Sequence, residues 1–108
     1  MKLLDVWVNC PDATVAQQIA DALVSQRLAA CCNIFAPIAS RYHWKGNIES
    51  ASEVPLLIKS RGELFARLCS TVRSLHPDET PSIVGVPIEY IDDDYAAWLM
   101  AETAAPSP

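Results

Sequence analysis

Hydrophobic and polar positions change period several times along the chain, and each change marks an element. "KLLDVWVN" (2–9) is short and apolar with β-branched residues at alternate sites, which predicts a buried strand. "CPDAT" breaks it, and Asp12 or Thr14 can cap the helix that follows, Thr14 and Gln17 having capping-box spacing. Val15, Ile19, Ala22 and Leu23 then recur at helical spacing to about Gln26, while Gln17, Gln18, Asp21 and Ser25 form the polar face. "LAACCNIFAPIASRYHW" (28–44) has no cap and carries Pro37, so it reads as a strand with an irregularity at the proline. Its far end alternates, with Arg41, His43 and Lys45 on one side and Tyr42 and Trp44 on the other. "KGN" is a tight turn, and "IESASEVPLLIKS" (48–60) returns as a third strand.

Ser60 and Glu63 have the spacing of a second capping box. Leu64, Leu68, Val72 and Leu75, with Phe65 and Cys69 beside them, make the clearest helical stripe in the chain. Pro77 stops that helix, because a residue preceding proline is pushed out of the helical region. "SIVGVPIEYI" (82–91) is a fourth strand, with Pro87 placing it at a sheet edge. "DDD" (92–94) opens a last helix that carries Tyr95, Trp98 and Leu99 on one face. Trp7 and Trp98 read as core or helix-docking residues.

The order β-α-β-β-α-β-α is that of an α+β, ferredoxin-like fold with an extra C-terminal helix. Pro55 is awkward there, because the third strand of such a sheet is central. Lengths carry a second message. A strand from about 29 to 45 reaches roughly 50 Å at ~3.3 Å per residue, so the long β2–β3 hairpin overshoots its helices by about 25 Å. An isolated two-stranded ribbon is marginal in water, and one face of this one carries Tyr42 and Trp44. Another copy of the chain is the economical cover, which predicts a closed homo-oligomer.

The 108 residues suit one domain, placed at 1–103, with 104–108 as a flexible tail. Net charge is −5 and the eight basic residues are scattered, which argues against a nucleic-acid partner. No apolar run nears the ~20 residues that span a bilayer, and "MKLLDVWVNCPD" lacks a signal-peptide core. A cytoplasmic protein with no membrane partner is expected. The four cysteines (10, 31, 32 and 69) lack zinc-site spacing and read as free thiols.

"RSLHPDETPSI" (73–83) gathers the candidate chemistry. His76, Asp78 and Glu79 suit Zn or Cu(II), or are simply a polar turn between helix and strand. Cys10 as a nucleophile with His76 as its base lacks an orienting third group and an oxyanion site, so a structural thiol is the expectation. A different site emerges if the hairpin packs on a neighbouring subunit. Tyr42, Trp44, Lys59 and Glu89 would then line an intersubunit cleft, where a small anionic ligand could meet Lys59. The alternative is that the aromatics seal the interface and Lys59 pairs with Glu89 or an acidic loop.

"CPDATVAQQIADALVSQRLAACCNI", "SRYHWKGNIESASEVPLLIKS" and "LHPDETPSIVGVPIE", with a final "DYAAWL", resemble the CutA divalent-cation tolerance family over about residues 4–103. The resemblance implies a ferredoxin-like protomer in a homotrimer of PII-like architecture, no catalytic activity, and a role in tolerance of copper or another divalent cation. The chain departs from the family pattern at Asp78, where a tyrosine is usual, and at Pro55, where an aliphatic residue is. The family's copper-associated cysteine and first histidine correspond to Val8 and Leu75, so only His76 matches. Cys10, on the same strand face as Val8, stands as the substitute, which makes His76, Cys10 and Glu79 the implied metal set.

Overall fold

The computed structural model describes residues 2–104. The flexible tail assigned to 104–108 therefore falls outside the described residues from 105 on; Ala104 itself donates its N–H to Arg27 O at 2.7 Å.

The elements are β1 (Leu3–Cys10), α1 (Ala13–Ser25), β2 (Cys31–Ile34), β3 (Ile38–Trp44), β4 (Asn47–Arg61), α2 (Phe65–Leu75), β5 (Ile83–Pro87) and α3 (Asp93–Glu102). All pairings are antiparallel, in the order β2-β4-β1-β5, with β3 continuing beside β4 where β2 leaves off. Taking β2 and β3 as one interrupted strand, this is the expected ferredoxin-like arrangement, with β5 at an edge.

β1 alternates as its sequence demands, placing Leu4, Val6, Val8 and Cys10 in the core. Leu56 and Ile58 of β4 join them beneath Ile19 and Leu23 of α1 and Leu68 and Val72 of α2. α1 is capped by Asp12, whose carboxylate accepts from Val15 N–H at 2.9 Å. Arg27, at φ 57°, takes the left-handed position that ends this helix, and Leu28 N–H returns to Leu23 O at 2.9 Å. α3 is capped by Asp92 and held by Arg61, whose guanidinium donates to Thr103 O and Ala104 O.

Three expectations need correction. Ser60 caps nothing: β4 stays paired with β1 through Arg61, so Ser60 lies inside the strand and donates to Leu28 O at 2.7 Å. A 3-10 turn, Gly62–Leu64, leads into α2 instead. Trp98 is not core; it stacks on Tyr95 at 5.4 Å on an exposed face of α3, while Leu99 is the buried residue. Trp7 points away from the helices and meets Phe35 at 5.5 Å.

Pro55 finds its explanation in the break between β2 and β3. It pairs with Asn9 of β1 and accepts from Phe35 N–H at 3.0 Å on its other side. A residue's N–H and C=O point the same way in a strand, so the missing donor faces residues 35–37, where the neighbouring strand is interrupted.

The last β1–β4 pair is Cys10 with Val54. Beyond it β3 and residues 47–53 of β4 form a ribbon with no third strand, about 23 Å long at ~3.3 Å per residue, close to the overshoot expected. The turn at its tip is a two-residue one, with Lys45 at φ 49° and Gly46 at φ 82°, the signature of a type I′ hairpin.

Candidate functional site

Two regions hold the residues singled out above: the corner after α2, and the cleft between that corner and the hairpin.

α2 ends at Leu75 because His76 turns extended (ψ 131°) ahead of Pro77. The His76 side chain folds inward and is fully buried. The backbone N–H of Asp78 donates to Nδ1 at 3.1 Å, so that nitrogen presents its lone pair, and the ring proton sits on Nε2. Nε2–H then donates to Asn9 O at 2.8 Å. Both ring nitrogens are thus spent in tying the end of β1 to the turn before β5. His76 is a structural stitch here.

Cys10 lies on the core face of β1 with no exposed surface. Burial, followed by the nearby carboxylates of Asp12, Glu53 and Asp78, pushes its thiol up to about 11. A protonated buried thiol is neither a nucleophile nor a ready metal ligand. Glu79 points outward and pairs with Lys45 at 3.5 Å. The residues proposed for a metal are therefore not gathered into one ligand set and do not fit a bound cation within the single chain. Among the described residues no group of three or more His, Cys, Asp or Glu side chains is placed to hold one.

The cleft candidates divide. Tyr42 and Trp44 line a cleft of about 740 Å³ between β3 and the Pro77–Ser82 turn, together with Arg41, Glu53, Asp78 and Glu79. Lys59 and Glu89 are elsewhere. Glu89 borders a separate hollow beside Lys2 and Ile88. Lys59 pairs with Asp5, directly opposite in the β1–β4 register, at 2.5 Å. The partner suggested from sequence, Glu89 or an acidic loop, is replaced by a cross-strand one. Asp5 and Lys59 are opposite charges flanking Trp7 and Leu57 on the second face of their strands, and that was the available signal. Glu53 was not anticipated, because the proximity of β4 to the corner after α2 is a tertiary fact.

A cysteine prediction follows from burial. Cys32 is pushed up to about 12, by burial first and then by Cys31 and Asp21. At pH 8 a two-unit rise from 9.0, as at Cys10, leaves about a hundredfold less thiolate than an ordinary cysteine has. Native-state iodoacetamide labelling read by mass spectrometry should leave Cys10 and Cys32 behind by at least that factor and recover both in denaturant. Prompt native labelling of Cys10 would contradict the packing of β1.

Residues 4–102 match the family described as CutA1 divalent ion tolerance protein. Mouse protein CutA is 42% identical over 101 residues, covering 94% of this chain; the chain spans 57% of that relative's length. A solved divalent cation tolerance protein from Thermus thermophilus superposes with a TM-score of 0.92 at 38% identity, covering 94% of this chain and 99% of the other. A structure from Archaeoglobus fulgidus, described as a periplasmic divalent cation tolerance protein CutA, gives 0.89 at 35% identity over 93% and 97%. A matched family over nearly all of the chain, with the same fold in close relatives, leaves one assignment: the chain belongs to the CutA1 divalent ion tolerance family.

Proposed function

We propose that this protein serves divalent-cation tolerance as a homotrimer, in the cytoplasm, without a catalytic step. The observation that carries the oligomeric part is the second face of the sheet. Phe35, Val84 and Val86 there are 43%, 51% and 46% exposed, beside Trp7 and Leu57, and α1 and α2 pack on the opposite face. A contiguous apolar sheet face, continued by a two-stranded ribbon, is the kind of surface that a protein covers with a partner.

The name of the family supports the tolerance role. Copper is the first cation to test, although His76, Cys10 and Glu79 do not supply its site within one chain. Free cysteines at 10, 31, 32 and 69 suit a reducing compartment, which supports the cytoplasmic reading. No helix among the described residues is long and apolar enough to cross a membrane.

Growth of a deletion strain across a copper series tests the role. Loss of the gene should lower the copper concentration that halves growth, and the native chain should restore it. Cys10→Ala and Glu79→Gln should restore it equally, because neither side chain is placed to coordinate metal. Identical growth with and without the gene would refute the tolerance role. Failure of Cys10→Ala alone, with the variant folded, would bring Cys10 back as a ligand.

A further inference from the structure

Two opposite charges stand on the sheet face that the proposed trimer covers. Asp5 of β1 lies opposite Lys59 of β4, with Cys31 of β2 beside the lysine and Val86 of β5 beside the aspartate. The next row on the same face runs Asn33, Leu57, Trp7, Val84. Neighbouring rows of one face are about 7 Å apart, two residues at ~3.3 Å each. A copy seated on Trp7 therefore also reaches the charged pair.

The pair is closed at one contact and open at the rest. Lys59 Nζ donates to Asp5 Oδ1 at 2.5 Å, and among the described residues no second side-chain hydrogen bond or ion pair reaches either group. Two ammonium protons and the second carboxylate oxygen have only solvent to satisfy them, and the side chains are 20% and 30% exposed in the single chain. Stripping that water without replacing its hydrogen bonds is more unfavourable for a charged group than for any neutral neighbour. A copy docked with apolar atoms over the pair leaves both charges short of partners. One that brings a donor to Asp5 and an acceptor to Lys59 does not. Trp7, Phe35, Leu57, Val84 and Val86 cannot make this distinction, because apolar burial is non-directional.

We propose that the Asp5–Lys59 pair selects the orientation in which copies of this chain dock, admitting only a neighbour that offers a donor to Asp5 and an acceptor to Lys59. The inference rests on the homotrimer reading and names the part of that interface which decides its geometry, the apolar residues supplying its strength. Fixing register and oligomeric state is the best-attested use of a polar group buried in an apolar interface.

The test compares the full native chain with Asp5→Leu/Lys59→Met, in which the pair gives way to apolar residues of similar size, by sedimentation velocity and native mass spectrometry at micromolar concentration. The native chain should give one trimeric species. The double variant should associate at least as tightly, yet as a mixture of sizes, because nothing polar then rejects the other orientations. Asp5→Leu alone strands the Lys59 ammonium and should weaken the trimer about a hundredfold or more. Both positions lie off the helix-facing core, and far-UV circular dichroism checks that each variant is folded. Should Asp5→Leu not fold, the double variant still decides, since it adds no unpaired charge. A double variant that runs as a single trimer like the native one would overturn the proposal, as would a folded Asp5→Leu chain that assembles as tightly as the native chain. A monomeric native chain would instead refute the trimer, and the proposal with it, so the two failures are told apart.

Discussion

At concentrations where the proposed homotrimer forms, a Trp7→Asp chain is expected to stay monomeric while keeping its fold. Trp7 stands in the middle of β1, with Leu57 of β4 and Val84 of β5 directly beside it in register. Phe35 packs on its ring at 5.5 Å, so the tryptophan is the centre of the uncovered face. Tryptophan is enriched among the anchors at the centre of interfaces, and truncating such an anchor typically costs about 2–4 kcal/mol of association. An aspartate adds to that, because its carboxylate would be buried without a partner. The helix-facing core, Val6, Val8, Leu56 and Ile58, lies on the opposite side of the same strands and is untouched. Far-UV circular dichroism should therefore be unchanged while the mass falls. A variant that remains trimeric would show that a different surface joins the copies.

The second large effect is on stability. Ile58→Ala should lower the unfolding free energy by about 2–5 kcal/mol, as expected for a large-to-small change in a core that cannot close the gap. Ile58 is fully buried in the C-terminal part of β4, between Val6 of β1 and Cys32 of β2. Flanked by strands on both sides, it has little room to relax. Against a total of about 5–15 kcal/mol for a domain, such a loss is a large fraction. Urea unfolding of Ile58→Ala in the Trp7→Asp monomer separates this from any contribution of assembly. Ile48→Ala, at a hairpin position 73% exposed, should change that monomer's stability by less than about 0.5 kcal/mol. Equal effects of the two would mean that the burial pattern of β4 is wrong.

Much of the fold was legible because it rests on periodicity. The alternation of β1 and the stripes of α1 and α2 name their own buried faces, and strand lengths alone called for a projecting ribbon. The misreadings share a cause. Ser60 and Glu63 look like a cap locally, yet β4 extends through Ser60 because pairing with β1 continues to Arg61. Pro55 looked out of place until the gap opposite it, at residues 35–37, was known. Neither pairing partner is written in the local sequence.

The site was less legible for the same reason. "RSLHPDETPSI" shows the residue types of a metal site, but whether a histidine is a ligand depends on what its nitrogens touch. At His76 those contacts are Asn9 O and Asp78 N–H, and the first comes from a strand 67 residues away in the chain. Conversely, Lys45 and Glu79 are ordinary surface charges in sequence, and only the fold of the hairpin brings them within 3.5 Å of each other.

The central claim, that the open sheet face is covered by further copies of the same chain, is tested most directly by mass. Sedimentation equilibrium of the native chain at micromolar concentration should give about 35 kDa, three times the 11.8 kDa of one chain. A single species at 11.8 kDa under those conditions would contradict it.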